Sequence, residues 1–209
     1  MKHPKIVSAA EWQVERDALL VAEKEATHAL DALAARRRRL PMTEFSTAFT
    51  FDTPAGPRSL LELFEGRTQL VVYQFMDRGP DKYCPGCTNV TNNVPVTAFP
   101  NFQEDDVTWQ TVSNMPLAQI TAYKAKMGWT LPFVSSRGNG FTDATGAGEG
   151  FQLDVFLRDG ERVYRTYSTT QRGVDRLLFS NNVLDLVPYG RQEEFEDSPE
   201  GWPQHPTYG

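Results

Sequence analysis

LVVYQFMDRGPDKYCPGC, residues 70–87, joins an apolar run to the only two cysteines in this chain of 209 residues. The run Leu70–Met76 predicts a buried strand, because strands covered on both faces read as continuous apolar stretches. Pro85 favours the first position of a helix, where its missing N–H leaves no helical hydrogen bond unmade. The sequence therefore predicts a strand that delivers Cys84 and Cys87 to the start of a helix.

Two cysteines three positions apart at the start of a helix favour a redox dithiol. Backbone N–H groups and the helix dipole stabilise a thiolate there, which lowers the pKa of a cysteine from about 8.5 toward ~7 or below. A second sulfur one helical turn away can close on the first, since residues three apart share a helix face. We predict that Cys84 is the nucleophile and Cys87 the resolving thiol, with Gly86 adding no side chain to shield the sulfur.

Three other interpretations of the cysteine pair stay open: a structural disulfide, part of a metal site, or two inert core residues. A bridge that closes a loop of about four residues restrains the unfolded chain by only ~2 kcal/mol, which is weak stabilisation. A zinc or copper site needs further ligands, and the histidines His3, His28 and His205 lie far from the pair without ligand spacing. We therefore expect no metal and no cofactor.

The composition is that of a globular protein: 40% of the residues are hydrophobic, 11% are aromatic and the net charge is −6. No run approaches the ~20 apolar residues of a membrane span, and no secretory signal is present, so we expect no membrane association. The acidic charge argues against nucleic acid as a partner. Two cysteines in a chain without a targeting segment predict a reducing, cytoplasmic location.

Residues 8–39 predict one long helix. Ser8 with Glu11 three positions later forms the pattern of a capping box, and Pro41 ends the helical stretch. Apolar residues recur every seven positions along it, at Trp12, Leu19, Ala26 and Leu33. About 30 helical residues extend ~45 Å, which exceeds the width of a small domain. We therefore expect an amphipathic helix that lies along the body and projects, or that packs against a second subunit, and we predict a homodimer through it.

The remaining segments alternate between strand and helix patterns. The predicted order is strand, helix, strand with the cysteine pair, helix, strand, helix, short strand, hairpin and helix. Asp159-Gly160 supplies the turn of the hairpin, and the last helix covers about 174–186. The glycine-rich stretch 138–150 lacks the spacing of a nucleotide-binding loop. This order predicts a mixed sheet with helices on both faces, a three-layer α/β/α sandwich.

The order of elements resembles the thioredoxin fold, and two segments extend the resemblance beyond the cysteine motif. Residues 49–76, with SLLELFEGR at 59–67, resemble the opening of the peroxiredoxin-like branch of the thioredoxin superfamily. Residues 112–136, VSNMPLAQITAYKAKMGWTLPFVSS, resemble the strand and helix that follow the active-site helix in that branch.

Taken end to end, the chain resembles an uncharacterised bacterial family of thioredoxin-like proteins, a domain-of-unknown-function group. The segments that carry this resemblance are KIVSAAEW (5–12), ARRRRLP (35–41), VVYQFM (71–76), AYKAKMGWTLPFVSS (122–136), VFLRDGERVYRTYSTTQRGVD (155–175) and GRQEE (190–194). The resemblance implies a thioredoxin-like domain at 42–190, preceded by the N-terminal helix extension at 1–41 and followed by an acidic tail at 191–209.

The cysteine pair predicts a thiol–disulfide oxidoreductase that acts on a disulfide-bearing protein or a small thiol, while the resemblance gives the fold and names no substrate. Two alternatives remain: a thiol peroxidase of the peroxiredoxin-like type, which reduces a peroxide, and a non-catalytic thioredoxin-fold binding or scaffold protein. The residues that flank the cysteines in the predicted site are Tyr83, Pro85, Gly86 and Thr88. Arg78 or Lys82 could add positive potential near the sulfurs.

Two positions differ from the patterns of these relatives. Gly150 and Phe151 fall where thioredoxin-type oxidoreductases carry the cis-proline that holds the substrate backbone, and we assign them as substrate-groove candidates. Asp81 falls where peroxiredoxins carry a hydroxyl ahead of the nucleophile. A carboxylate at that position predicts that thiolate formation at Cys84 is opposed.

Overall fold

The computed structural model of the protein describes residues 3–206. These residues divide into two compact units. One contains the described residues up to Pro41 together with those from Leu184 onward, and the other is Met42–Val183. Over the described range, no helix is both long enough and apolar enough to cross a membrane.

The first unit contains the long helix α1, which spans Ala9–Arg37. It begins at the predicted capping box: the Glu11 N–H donates to Ser8 Oγ, and the Glu11 carboxylate accepts from the Ser8 N–H at 3.0 Å. The predicted helix and its start are therefore confirmed. Within the described part of the chain, none of the α1 residues is buried.

The second unit is built on a mixed sheet of six strands. The eight strands of the unit are β1 Thr43–Phe45, β2 Thr50–Phe51, β3 Arg58–Ser59, β4 Gln69–Gln74, β5 Val107–Ser113, β6 Phe133–Ser135, β7 Gln152–Asp159 and β8 Arg162–Thr169. The main sheet has the order β1-β8-β7-β4-β5-β6, and β2 pairs with β3 separately. Strands β4, β5 and β6 run parallel, whereas β7 is antiparallel to both β4 and β8. The strand that precedes the cysteines, β4, is thus central.

Short helices lie between these strands and after the last of them. They are α2 Leu60–Leu63, α3 Pro85–Asn92, α4 Phe99–Glu104, α5 Leu117–Met127, α6 Phe141–Thr145 and α7 Phe179–Leu184, with 3-10 turns at Val96–Ala98 and Gln171–Leu177. The prediction of a single helix over 174–186 is wrong. Leu178 has extended backbone between the 3-10 turn and α7, and its side chain is buried in the core, so packing interrupts the helix.

Two apolar cores cover the two faces of the sheet, because successive side chains of a strand point to opposite faces. Leu70 and Val72 of β4 lie in the first core with residues of α2 and α6. Tyr73 and Phe75 lie in the second core with residues of α3 and α5. The helices therefore form layers on both sides of the sheet, and the predicted three-layer α/β/α sandwich is confirmed.

Candidate active site

Cys84 lies where the chain leaves β4 and enters α3. It is the N-cap residue of α3, and Pro85 occupies the first helical turn, as the sequence predicts. The Cys87 N–H donates to Cys84 Sγ at 3.3 Å. Both cysteines are free thiols and both are buried. The two sulfurs therefore share the start of one helix and are placed to exchange a bond.

The pKa of Cys84 is lowered from its ordinary value to about 6. The largest cause is a hydrogen bond from the Cys87 side chain, while burial acts in the opposite direction. Backbone N–H groups of Cys87 and Gly86 and the positive charge of Arg78 lower the pKa further. At pH 7 Cys84 is therefore mainly in its thiolate form.

The pKa of Cys87 shifts in the opposite direction. Its interaction with the Cys84 sulfur raises the pKa of Cys87, and burial raises it further. Its residue surface is 1% exposed, against 8% for Cys84. The two cysteines therefore differ in charge and in exposure. Cys84 carries the negative charge and is the more exposed residue, whereas Cys87 keeps its proton and is more deeply buried.

The predicted opposition of Asp81 to the Cys84 thiolate does not figure among the causes of the Cys84 pKa shift. Asp81 is exposed at the surface. Charges at the surface act weakly on a partly buried group because water screens them. Of the two cations named from the sequence, Arg78 contributes to the lowered pKa and Lys82 does not.

Tyr83 and Thr88 hold the motif against α5 through one residue, Tyr123. The rings of Tyr83 and Tyr123 are stacked, with centroids 3.5 Å apart and planes 6° from parallel. The Thr88 hydroxyl donates to the Cys84 carbonyl at 2.8 Å and lies 2.8 Å from the Tyr123 hydroxyl. Because its proton is used on the carbonyl, Thr88 accepts from Tyr123. These contacts fix the backbone at the start of α3.

The other assigned residues differ in exposure and in contacts. Pro85 is exposed and Gly86 half-buried, so the outer side of the motif carries little covering bulk. Phe151 packs on the core that contains both cysteines, with its ring centroid 6.4 Å from that of Tyr73. The Gly150 N–H donates to the Ala147 carbonyl at 2.8 Å. Their assignment to a substrate groove stays a prediction.

Sequence reasoning did not assign a role to Tyr73 or Tyr123. Tyr123 reads as one of several apolar residues in a helix, and its partner Tyr83 is distant in sequence. Tyr73 carries one signal: it is a polar-tipped ring inside the apolar run that leads to the cysteines. Within residues 3–206, no three His, Cys, Asp or Glu side chains gather in a group that could hold a metal ion.

Several solved structures are similar to this chain. A PrxQ variant from Xylella fastidiosa is 14% identical, with a TM-score of 0.47 and coverage of 69% of this chain and 94% of its own. Peroxidoxin BcpB from Mycobacterium tuberculosis is 18% identical, with a TM-score of 0.46 and coverage of 66% and 95%. The bacterioferritin comigratory protein of Xanthomonas campestris is 16% identical, with a TM-score of 0.46 and coverage of 68% and 96%.

Sequence identities of 14–18% to these solved structures carry no information on the activity of this chain. No curated protein matches the chain at a significant level. The family described as "Bacterial protein of unknown function (DUF899)" matches residues 1–208, nearly the whole chain. This match confirms the resemblance inferred from the sequence. The chain belongs to the DUF899 family of bacterial proteins.

Proposed function

We propose that this protein is a thiol–disulfide oxidoreductase that uses Cys84 and Cys87 as a redox dithiol. The observation that carries the proposal is the position of Cys84 at the N-cap of α3, where its sulfur accepts the Cys87 N–H and its pKa falls to about 6. A lowered pKa makes a cysteine a nucleophile at neutral pH, because the thiolate is the attacking species.

In the proposed reaction the Cys84 thiolate attacks one sulfur of a substrate disulfide. A bond forms between Cys84 Sγ and that sulfur, and the other substrate sulfur leaves as a thiolate. Cys87 then loses its proton and attacks Cys84 Sγ, which releases the second substrate thiolate. The substrate gains two electrons, and the dithiol becomes a Cys84–Cys87 disulfide that a cellular thiol must reduce again. A reducing cytoplasm supplies such donors.

Reduced protein is expected to react with a small aromatic disulfide at a rate that follows the ionisation of Cys84. The rate should be near its plateau at about pH 7 and fall about tenfold per pH unit below about pH 6, because only the thiolate attacks. Stopped-flow absorbance of the released aromatic thiol measures this profile. The matched control is the same protein unfolded in denaturant, whose rate should rise around pH 8.5, the ordinary cysteine value. A native midpoint near that ordinary value would contradict the proposal.

A thiol peroxidase is the second candidate, and the burial of Cys84 favours it. With 8% of its surface exposed, Cys84 is more easily reached by a small oxidant than by a disulfide on a folded protein. The Cys84 thiolate would take one oxygen of a peroxide, release an alcohol or water after protonation, and become a sulfenic acid. Cys87 would then attack this sulfur and water would leave as the disulfide forms. A rate with hydrogen peroxide no faster than that of free cysteine would remove this candidate.

We also propose that the chain forms a homodimer through α1. Most of the stability of a helix in a protein comes from packing of an apolar face, yet α1 buries none of its residues within the described chain. Trp12, Leu19 and Leu33 lie on one stripe of α1 and are all exposed. A second copy of this helix would cover that stripe.

The double variant Leu19→Glu/Leu33→Glu is expected to convert the dimer to a monomer, because it places charge in the proposed apolar contact. Sedimentation equilibrium measures the mass. Val21 is the matched control, since it is also exposed but lies about half a turn away around the helix. Val21→Glu should leave the dimer intact. A monomeric wild-type protein, or equal dissociation by both variants, would count against the assignment of the interface.

A further inference from the structure

The hydroxyl of Tyr73 is a buried polar group that meets no described residue in hydrogen-bond geometry. Tyr73 lies on β4 and has no exposed surface. Within the described range its hydroxyl has no partner in hydrogen-bond geometry, and the side chain of Cys87 is the polar group with which it interacts. Nearly all buried hydroxyl groups in proteins are hydrogen-bonded, so an unpaired one in a core requires an explanation.

The cysteine pair contains the reactive groups that interact with this hydroxyl. Tyr73, Cys84 and Cys87 belong to one buried cluster on the α3 face of the sheet. Burial is the main cause that raises the pKa of Tyr73, and the sulfur of Cys87 raises it further, ahead of that of Cys84. Tyr73 therefore keeps its proton at every physiological pH, and its hydroxyl remains a hydrogen-bond donor.

When Cys87 loses its proton in the resolving step, its thiolate becomes a strong hydrogen-bond acceptor for the Tyr73 hydroxyl. Although Cys84 and burial together raise the pKa of Cys87, Tyr73 acts in the opposite direction and favours the Cys87 thiolate. A neutral thiol is a weak acceptor, whereas hydrogen bonds to an ionised group are shorter and stronger. The interaction between Tyr73 and Cys87 therefore strengthens at the moment when Cys87 loses its proton.

We propose that Tyr73 is a positioning residue for the resolving step, in which its hydroxyl donates a hydrogen bond to the Cys87 thiolate while that thiolate attacks Cys84. This inference rests on the proposed function. In the step, the Cys87 proton passes to solvent, a bond forms between the two cysteine sulfurs, and the substrate sulfur leaves Cys84 as a thiolate. Tyr73 keeps its own proton throughout.

Single-turnover reduction of the small aromatic disulfide tests this role, because its two thiols are released in different steps. Tyr73→Phe, which removes only the hydroxyl, is expected to leave the first release within about twofold of wild type. It should slow the second release about tenfold or more, the effect of losing a hydrogen bond to a charged group. The pH midpoint of the second release should also move upward. Tyr164→Phe removes a hydroxyl from β8, nearer the hairpin, and should change neither phase.

An unchanged rate and pH midpoint of the second release in Tyr73→Phe would overturn the inference, even if the variant unfolds at a lower temperature. Loss of the first release in the wild-type protein would instead refute the proposed function, so the two failures are distinct. If Tyr73→Phe does not fold, 3-fluorotyrosine at position 73 keeps the shape of the ring and makes the hydroxyl a stronger donor. The midpoint of the second release is then expected to move downward, and an unmoved midpoint again overturns the inference.

Discussion

Cys84→Ser is expected to reduce disulfide or peroxide turnover to the rate seen without protein. A serine hydroxyl is not ionised near neutral pH, so the variant lacks the thiolate that starts either reaction. Cys87→Ser is expected to stop the reaction at a different point. Cys84 still attacks, but no second sulfur releases the product, and the mixed disulfide accumulates. Intact-mass spectrometry after one addition of substrate measures both outcomes.

The two variants are controls for each other, since each replaces one sulfur by oxygen at neighbouring positions of α3. Cys87→Ser should gain the mass of one substrate thiol at Cys84, and Cys84→Ser should gain none. Equal trapping in both variants would contradict the assigned roles of nucleophile and resolving thiol. If both variants retain full function in the cell, the protein acts as a binding or scaffold protein rather than through its dithiol.

Elements around the motif are predictable from the sequence because their signals act over a few residues. The capping box at Ser8 and Glu11 depends on one turn of helix, and the structure has it. The apolar run becomes β4, and the hairpin of β7 and β8 turns at Gly160, next to Asp159.

The electrostatics of the site cannot be read from the sequence in this way. Asp81 is three positions from Cys84 and is not among the groups that set its pKa, whereas the more distant Arg78 is one of them. Whether a charge acts depends on the path of the loop and on screening by water, which spacing does not reveal. Tyr123 contacts Tyr83 and Thr88, the residues that flank the cysteine motif. These contacts likewise depend on α5 packing beside α3, and the two helices are far apart in the chain.

The glycine-rich stretch 138–150 contains a short helix that its composition does not predict. Helix α6 lies between Gly140 and Gly146, which both have positive φ. A helix this short depends on tertiary packing rather than on intrinsic propensity. Phe141 supplies that packing, because it is fully buried in the first core. Four other rings surround it with centroids 5.0–6.3 Å away: Phe45, Phe49, Phe51 and Phe156.

Phe141→Ala is therefore expected to lower the free energy of unfolding by about 3–5 kcal/mol, the usual cost of removing a fully buried phenylalanine ring. Denaturant unfolding followed by circular dichroism should show a lower midpoint with an unchanged slope, because the surface exposed on unfolding hardly changes. Phe179→Ala is the matched control. Its ring is 74% exposed, so its removal should change the free energy by no more than about 0.5 kcal/mol.

Phe141→Ala also tests whether the stability of the fold and the reactivity of Cys84 are independent of each other. The core around Phe141 and the core that contains Cys84 lie on opposite faces of the sheet, so the cavity does not reach the sulfurs. In the fraction of Phe141→Ala that remains folded, Cys84 should keep its pKa of about 6 and its rate with the aromatic disulfide. Equal stability of the two phenylalanine variants would contradict the role of Phe141 in the core. A large change in the Cys84 pKa would show that the two faces of the sheet are coupled through β4.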